Sequence, residues 1–313
     1  MMQPADRKIH PPPPPLDANY KPSVRIAELP ITASVDEMIE ILDRDGGFIL
    51  NNLLSPEQLA QVEKDTLDWT GDKAINQNGL AIVPKETLLV GGLVGKSPTM
   101  ASLCEHPHLV ELRRRILTED GSRQQEEIDV PYHIDPLLSL SLSFRVRSGA
   151  PRQRLHRDDS IHVIDHSLPY KLEKVSQFAC LIAGVKTTME NGATMFVPGS
   201  HLWDEKRLPR TDEVTFAEME PGSALIFLAG AYHGAGQNSV KDFTRVVHGL
   251  FFCRGIYRTE ENQFLAIPRS KVLGMSPMMQ NLLGYKLPNM PLGMVENSDV
   301  MTDLKGVLER ASV

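Results

Sequence analysis

The spacing of apolar and polar residues predicts helices in the first third of the chain. Ser34 and Glu37 stand in capping-box spacing before an apolar stripe, which predicts a helix that begins there. Residues 55–57, Ser-Pro-Glu, predict the start of a second helix with proline in its first turn. Residues 107–117 carry an apolar face at helical spacing and predict a third helix. Residues 70–100 are rich in glycine and polar side chains, so we expect a long loop region there.

After about residue 130 the pattern changes to the alternating or continuous apolar runs that are typical of strands. The candidate strands are Phe48–Leu50 near the N-terminus and, later in the chain, Leu138–Arg147, Gln177–Ala183, Thr194–Val197, Ala224–Leu228 and Val246–Phe252. Turn clusters rich in glycine, proline and asparagine separate them. Helices followed by many short strands predict a mainly β protein with flanking α-helices, built as a β-sandwich or jelly roll.

The chain is expected to form one domain over residues 25–313. We predict a helical brace over residues 34–120, a jelly-roll core over 130–255 and a C-terminal helical segment over 270–313, with a helix near residues 303–310. Residues 1–24 include a run of five prolines from Pro11 to Pro15. Such a run favours an extended, solvated conformation, so this arm is predicted to be disordered and outside the fold.

Charge and composition exclude several classes of partner. The formal net charge of −7 argues against nucleic acid, which requires a basic footprint. The longest apolar run, Ala224 to Tyr232, is far shorter than the ~20 residues of a spanning helix, so no membrane partner is expected. The three cysteines form no CxxC pair, and the N-terminus has no apolar stretch typical of a signal peptide. These features predict a cytoplasmic protein.

The segment from Gln153 to Asp159 carries the strongest chemical signal. If it is extended, His156 and Asp158 point to the same face, because side chains alternate along a strand. A His-x-Asp tripeptide is weak evidence alone, but a second histidine from elsewhere would complete a facial triad of two histidines and one carboxylate. This arrangement leaves three metal positions open and suits Fe(II) oxygenase chemistry.

Two residues later in the chain support this hypothesis. His233 follows a strand and precedes a glycine-rich turn, where backbone can approach a site closely, so it is the candidate third ligand. Arg245 opens a largely apolar strand, and a buried guanidinium needs an anionic partner. The distal carboxylate of a dicarboxylic acid would match its fork in two parallel hydrogen bonds.

Other histidines are rival ligands. His162 and His166 follow the motif closely, but a third ligand from the same short segment would bring no second strand to the site, so we interpret both as loop or outer residues. His248 lies in the same strand as Arg245 but on the opposite face by parity, which favours a packing role.

An ordered series of motifs runs through the chain: Asp45-Gly46-Gly47-Phe48-Ile49-Leu50, Gln153 to Asp158, Glu190-Asn191-Gly192-Ala193-Thr194, Pro198-Gly199-Ser200-His201, Pro221 to Leu225, His233 and Arg245. In this series the chain resembles the phytanoyl-CoA dioxygenase-like family of iron(II)/2-oxoglutarate enzymes, and within it the fungal branch that tailors meroterpenoids and alkaloids. The resemblance covers about residues 36–284.

The resemblance implies a double-stranded β-helix, or jelly roll, with His156, Asp158 and His233 on iron. It also implies that Arg245 binds the far carboxylate of 2-oxoglutarate, and that Gln153 and Thr194 are further contacts of this cosubstrate. Iron, 2-oxoglutarate and O₂ would then oxidise a substrate by hydroxylation, desaturation or rearrangement. The alternative interpretations, in which neither residue has a function, are that Gln153 is a solvated loop residue and that Thr194 is an ordinary strand residue.

The expected substrate is a bulky apolar secondary metabolite such as a terpenoid or meroterpenoid, because the strand at 246–252 and residues 79–83 are mostly apolar. An acyl-CoA hydroxylase is one alternative, although the 70–100 region offers few cations for such a ligand. A non-enzymatic jelly-roll binding module is the other. Residues 274–294 carry five methionines and favour either a gap-filling edge of the core or an apolar surface that covers the pocket or forms a homodimer contact.

Overall fold

The helices of the chain brace one side of a large sheet. The computed structural model describes residues 11–17, 19–70, 83–167, 169–295 and 300–301. Its α-helices are α1 (Val35–Asp45), α2 (Pro56–Thr66), α3 (Leu93–Lys96), α4 (Pro98–Leu103), α5 (Pro107–Leu117), α6 (Gln263–Ala266), α7 (Arg269–Leu273) and α8 (Pro277–Leu282). The predicted capping box is confirmed, because Ser34 accepts from the Glu37 N–H while the Glu37 carboxylate accepts from the Ser34 N–H at 2.8 Å. The second and third predicted helices are confirmed as α2 and α5.

Strands dominate the middle of the chain, as predicted. They are β1 (Ala27–Leu29), β2 (Gly47–Leu50), β3 (Thr87–Gly91), β4 (Glu119–Gln125), β5 (Ile128–Ile134), β6 (Leu137–Val146), β7 (Gln177–Ala183), β8 (Met195–Phe196), β9 (Thr215–Phe216), β10 (Ala224–Leu228), β11 (His233–Gly234) and β12 (Arg245–Cys253). Each of the six candidate strands corresponds to one of these elements, and β7 and β10 have the predicted bounds.

Three sheets assemble from these strands. The largest has seven strands in the order β1-β2-β10-β7-β12-β6-β3, antiparallel except for the β1–β2 pair. A small sheet has the order β11-β8-β9, and β4 pairs with β5 in a hairpin. A large sheet facing a small one is consistent with the jelly-roll core that was predicted.

The two faces of the large sheet belong to different apolar cores. On β12, Leu250 and Phe252 pack against helices α1, α2, α4 and α5 in one cluster of buried residues. Val247 and Phe251 belong to the other cluster, which includes Phe196 and Phe227 and lies between the two sheets. By the alternation of side chains, Arg245 shares the face of Val247 and Phe251. The helical brace therefore leaves the inner face free for a functional site.

The prediction of a long loop over residues 70–100 is wrong for its second half. Residues 71–82 lie outside the described residues, but β3 pairs with β6 and is followed by α3 and α4. The side chain of Ser97 accepts from the Met100 N–H, and Pro98 follows at the first helical position. These start signals were readable in the sequence, but α4 has only one and a half turns and shows no helical period.

The β4–β5 hairpin was not predicted, and the helical brace was taken to continue to residue 120. The hairpin is almost entirely exposed: β4 is polar throughout, and the apolar alternation of β5 contains Pro131, which argues against a strand interior. Its register is nevertheless regular from Glu119↔Ile134 to Gln125↔Ile128.

The described residues of the proline arm contact the domain, in contrast to the expectation that this arm lies outside the fold. Arg152 Nε donates to the carbonyl of Pro14 at 2.7 Å, and the Tyr20 hydroxyl donates to the carbonyl of Val214 at 2.6 Å. An extended proline segment makes no internal backbone hydrogen bonds, so its carbonyls are free to accept from arginines. Residues 1–10 and the helix predicted near residues 303–310 lie outside the described residues. No helix in the described part is long and apolar enough to cross a membrane.

Candidate metal centre

Two antiparallel backbone segments bring His156 and His233 side by side. The His156 N–H donates to the His233 carbonyl at 2.9 Å, and the His233 N–H donates to the His156 carbonyl at 3.0 Å. Residues paired in this way project their side chains to the same face of the bridge. The two imidazole centroids are 4.6 Å apart. The structure therefore brings together the two histidines that the sequence analysis selected.

Asp158 reaches the same point. Arg157, between His156 and Asp158, is extended (φ −108°, ψ 134°), so the side chains on either side of it share one face, as assumed from the sequence. A 3₁₀-helix begins at Asp158 and turns the chain away from the site. Asp158 Oδ1 lies 3.4 Å from His156 Nε2, and its Oδ2 lies 3.4 Å from His233 Nε2. One ligand atom from each of these three residues, hereafter the triad, lies within 4.8 Å of the others.

The donor set fits an iron ion. His156 Nδ1 contacts the Arg154 carbonyl at 2.8 Å, and His233 Nδ1 contacts the Ala231 carbonyl at 3.1 Å. With a proton on Nδ1, each imidazole donates to its carbonyl and leaves the Nε2 lone pair directed towards the space between the three residues. Metal-bound histidines commonly donate a hydrogen bond from their other ring nitrogen in this way. Burial opposes charge on Asp158, but His233 and His156, when protonated, hold the pKa of that carboxyl well below its usual range, and a metal cation would replace their Nε2 protons. An ionised carboxylate and two imidazoles on one side are the ligands of a facial triad.

Arg157 holds the ligand segment in place, a role that sequence reasoning missed. The side chain is buried, and one guanidinium nitrogen donates to the carbonyls of Ser200 at 3.0 Å and Trp203 at 2.7 Å. The guanidinium carbon also lies 4.4 Å from the ring centroid of Tyr232, the residue before His233. This single arginine therefore ties the His156–Asp158 segment to the segment that supplies the third triad residue. The sequence signal that could have indicated this role is the position of an arginine between two candidate ligands.

Arg245 lies on the inner face at the start of β12. It is 3% exposed, and among the described residues its Nε has no hydrogen-bond partner and no carboxylate forms an ion pair with it. Burial lowers the pKa of Arg245 to about 10. A buried guanidinium without a counter-ion is costly, so Arg245 is a candidate for binding an anion.

The structure places the other two predicted cosubstrate residues beside the triad segments. Gln153 Oε1 accepts from the Ala235 N–H at 2.8 Å, and the Gln153 N–H donates to the Ala235 carbonyl at 2.9 Å. These bonds extend the His156–His233 pairing, so Gln153 has a structural role there. Thr194 is buried and directly precedes β8, which pairs with β11.

The rival histidines stand apart from the triad. His166 Nε2 pairs with Asp159 Oδ1 at 3.1 Å, and the His162 ring stacks on Tyr257 with centroids 4.3 Å apart. His248 lies on the helix-facing side of β12, as its parity predicts. Burial, and to a smaller extent the nearby charge of Arg145, lowers the pKa of His248 to about 4. In the described part of the chain, the triad is the one group of three or more His, Cys, Asp or Glu residues arranged to hold a metal ion.

A solved structure shares this architecture. The epimerase SnoN, in complex with Fe³⁺, alpha ketoglutarate and nogalamycin RO, superposes on 84% of this chain and 93% of its own with a TM-score of 0.52. The two sequences are 15% identical, so the likeness concerns the fold.

Sequence comparison adds the family. The phytanoyl-CoA dioxygenase (PhyH) profile matches residues 42–246. The dioxygenase swnH1 of Arthroderma benhamiae is 50% identical over 303 residues, which cover 96% of this chain and 98% of the relative. The swnH1 of Metarhizium robertsii is 50% identical over 302 residues, with the same coverage of 96% and 98%. The resemblance read from the motifs is thereby confirmed: the chain belongs to the phytanoyl-CoA dioxygenase family and is an Fe(II)- and 2-oxoglutarate-dependent dioxygenase.

Proposed function

We propose that the triad of His156, Asp158 and His233 binds the iron and that Arg245 binds the distal carboxylate of 2-oxoglutarate. We further propose that the enzyme oxidises a C–H bond of a bulky, largely apolar secondary metabolite of the terpenoid or meroterpenoid type, by hydroxylation, desaturation or rearrangement. The observation that carries the proposal is the convergence of three ligand atoms within 4.8 Å, together with a buried guanidinium on the inner face of β12 whose Nε has no hydrogen-bond partner among the described residues.

The protein side of the mechanism is positioning. Iron with 2-oxoglutarate and O₂ supplies the oxidising chemistry when bound. The carbonyls of Arg154 and Ala231 hold the imidazoles in the tautomer that presents Nε2. Arg245 would hold the far carboxylate of the cosubstrate by two parallel hydrogen bonds and so orient it in the site. Gln153 and Thr194 are proposed as further contacts of the cosubstrate.

An apolar lining supports the substrate class. Val247 and Phe251 face the inner cluster on the strand that begins with Arg245, and Val83 packs against the same cluster. The other members of the expected 79–83 lining, residues 79–82, lie outside the described residues. The dioxygenases that resemble this chain include peniF of Penicillium patulum at 31% identity. Family membership removes the alternative of a non-enzymatic binding module.

The test of this proposal is substrate-dependent release of succinate from 2-oxoglutarate. The Fe(II)-loaded enzyme would be incubated with one panel of polycyclic terpenoids and one panel of acyl-CoA esters. We expect turnover with the terpenoids, because the net charge of −7 repels a highly anionic CoA ester. Turnover confined to the CoA esters would establish the acyl-CoA hydroxylase alternative instead.

We also propose that the methionine-rich C-terminal segment forms a homodimer contact. Met279, Leu282 and Leu283 are buried in the helix-side core, which agrees with a gap-filling role for part of the segment. Met278 and Met294 are respectively 45% and 46% exposed and leave an apolar surface. Light scattering at micromolar concentration should show a dimer, and a monomer alone would refute this proposal.

A further inference from the structure

The proline arm lies against the segment that precedes the first triad residue. Between Pro11 and Asp17 the exposure of the arm follows a period of three: Pro13 and Leu16 are half-buried, and the other residues are exposed. Three residues per turn is the repeat of an extended polyproline helix. One side of the arm therefore rests on the domain over these residues.

Two arginines that flank Gln153 hold the arm by its backbone. The buried Arg152 donates from Nε to the Pro14 carbonyl at 2.7 Å, and Arg154 donates from a terminal nitrogen to the Pro11 carbonyl at 3.0 Å. Carbonyls three residues apart lie on the same edge of a polyproline helix, separated by roughly 9 Å. The two arginines therefore contact one edge of the arm at successive turns.

Apolar side chains of the arm pack on the outer face of the small sheet. The buried residues on this face, hereafter the outer cluster, are Ala193, Met195, Val197, Val214 and Phe216. Phe196, which follows Met195, belongs to the core between the sheets, so the outer cluster lies on the opposite face. Leu16 and Tyr20 of the arm pack against the outer cluster, and so do Leu155 and Tyr232, which directly precede the two histidines of the triad. The arm and both histidine-bearing segments therefore share one apolar support.

Arg154 connects the arm to His156. Its carbonyl accepts from His156 Nδ1 at 2.8 Å while its guanidinium donates to Pro11, so one residue both orients the imidazole and holds the arm. The segment from Gln153 to His156 pairs with residues 233–235 on one side. On its other side it pairs with no strand of the described chain, so it depends on side-chain contacts there. A segment that is paired on one side only opens more easily than a strand between two partners.

We propose that the proline arm positions His156 and thereby increases the affinity of the centre for its metal. The docked arm holds the Arg154 guanidinium and covers the outer cluster, and so it limits rotation of the Arg154 peptide group, which sets the direction of the imidazole. A proline-rich segment suits this role because it is already extended and loses little conformational entropy on docking. Arg154 is then a positioning residue. The inference rests on the proposed function, because it takes the triad as the metal site.

The test measures the affinity for Co(II), which takes the same nitrogen and oxygen ligands as Fe(II) and binds such sites more tightly. Calorimetric titration would compare wild type with a variant that lacks residues 2–20. The deletion should raise the Kd for Co(II) at least about tenfold, the lower end of what loss of a ligand's outer support costs. The circular dichroism spectrum should stay unchanged, because the described residues of the arm belong to no helix or strand.

Substitutions at Arg154 separate a positioning role from general support of the fold. Arg154→Met removes the bond to Pro11 and should raise the Kd for Co(II) roughly fivefold, the equivalent of one hydrogen bond. Arg154→Lys keeps a donor for the same carbonyl and should stay within about twofold of wild type. In the variant that lacks the arm, Arg154→Met should change the Kd by less than about twofold, since the bond that it removes is already lost.

Arg115→Met is the matched control. Arg115 also joins two segments near the N-terminus, because it ties α5 to Asp36 of α1 by an ion pair, but this pair lies apart from the triad. The variant should keep the Kd of wild type within about twofold.

The outcomes separate this inference from the proposed function. An unchanged Kd after deletion of the arm would overturn the inference and leave the proposed function standing. The same holds if the effect of Arg154→Met persists undiminished without the arm, or if Arg154→Lys binds Co(II) as weakly as Arg154→Met. Wild type that binds no Co(II), or that binds it equally well with His156→Ala, would refute both.

Discussion

Replacing Arg245 should have opposite effects on the protein with and without 2-oxoglutarate. In Arg245→Met the long apolar side chain fills the space of the arginine stem and removes a buried charge for which no counter-ion exists in the described chain. We therefore expect the variant without 2-oxoglutarate to be at least as stable as wild type. With 2-oxoglutarate, the variant loses two charge-assisted hydrogen bonds, which together contribute roughly 3 kcal/mol. This loss weakens cosubstrate binding by roughly 100-fold.

Thermal unfolding of the Fe(II)-loaded protein without O₂ measures both effects. At a 2-oxoglutarate concentration about 100 times the wild-type Kd, binding stabilises wild type by about 2.7 kcal/mol. For a domain of this size that corresponds to roughly 5 °C in Tm. The same concentration roughly equals the Kd of Arg245→Met, where the stabilisation is about 0.4 kcal/mol and the shift is below about 1 °C.

Arg147→Met is the control for the loss of an arginine, because Arg147 is exposed and directly follows β6, the strand that pairs with β12. It should keep the full response to 2-oxoglutarate. If Arg245→Met also kept it, the guanidinium would not be the cosubstrate ligand. If the variant unfolded well below wild type in the absence of 2-oxoglutarate, the argument that Arg245 is an unpaired buried charge would be wrong.

Two further predictions concern the metal and the backbone. Alanine at any one triad position should abolish Fe(II) binding, measured as metal content after desalting, and should leave the circular dichroism spectrum unchanged. The control variant His162→Ala should retain iron. Retention of iron by the triad variants would refute the ligand assignment. Gly222→Ala should lower the free energy of unfolding by more than about 2 kcal/mol in urea, because the residue has φ +85° and its Cβ would lie 2.1 Å from the Leu54 carbonyl oxygen. Gly149→Ala, with φ +81° and nothing within 4 Å, should cost only about 1 kcal/mol, and equal losses would contradict the clash.

The sequence predicted those parts of the site that depend on local geometry. His156 and Asp158 share a face because Arg157 between them is extended, so this prediction depended on the backbone conformation of a single residue. The separation of Arg245 from His248 followed from side-chain alternation along a single strand. The assignment of a third histidine required one long-range assumption, and the glycine-rich turn after His233 made it reasonable.

What could not be predicted depends on distant pairing or on the absence of apolar alternation. The contact of the proline arm with Arg152 joins residues 138 positions apart and leaves no periodic signal. In the β4–β5 hairpin, β4 has no apolar period, and Pro131 within β5 argues against a strand although its neighbours alternate.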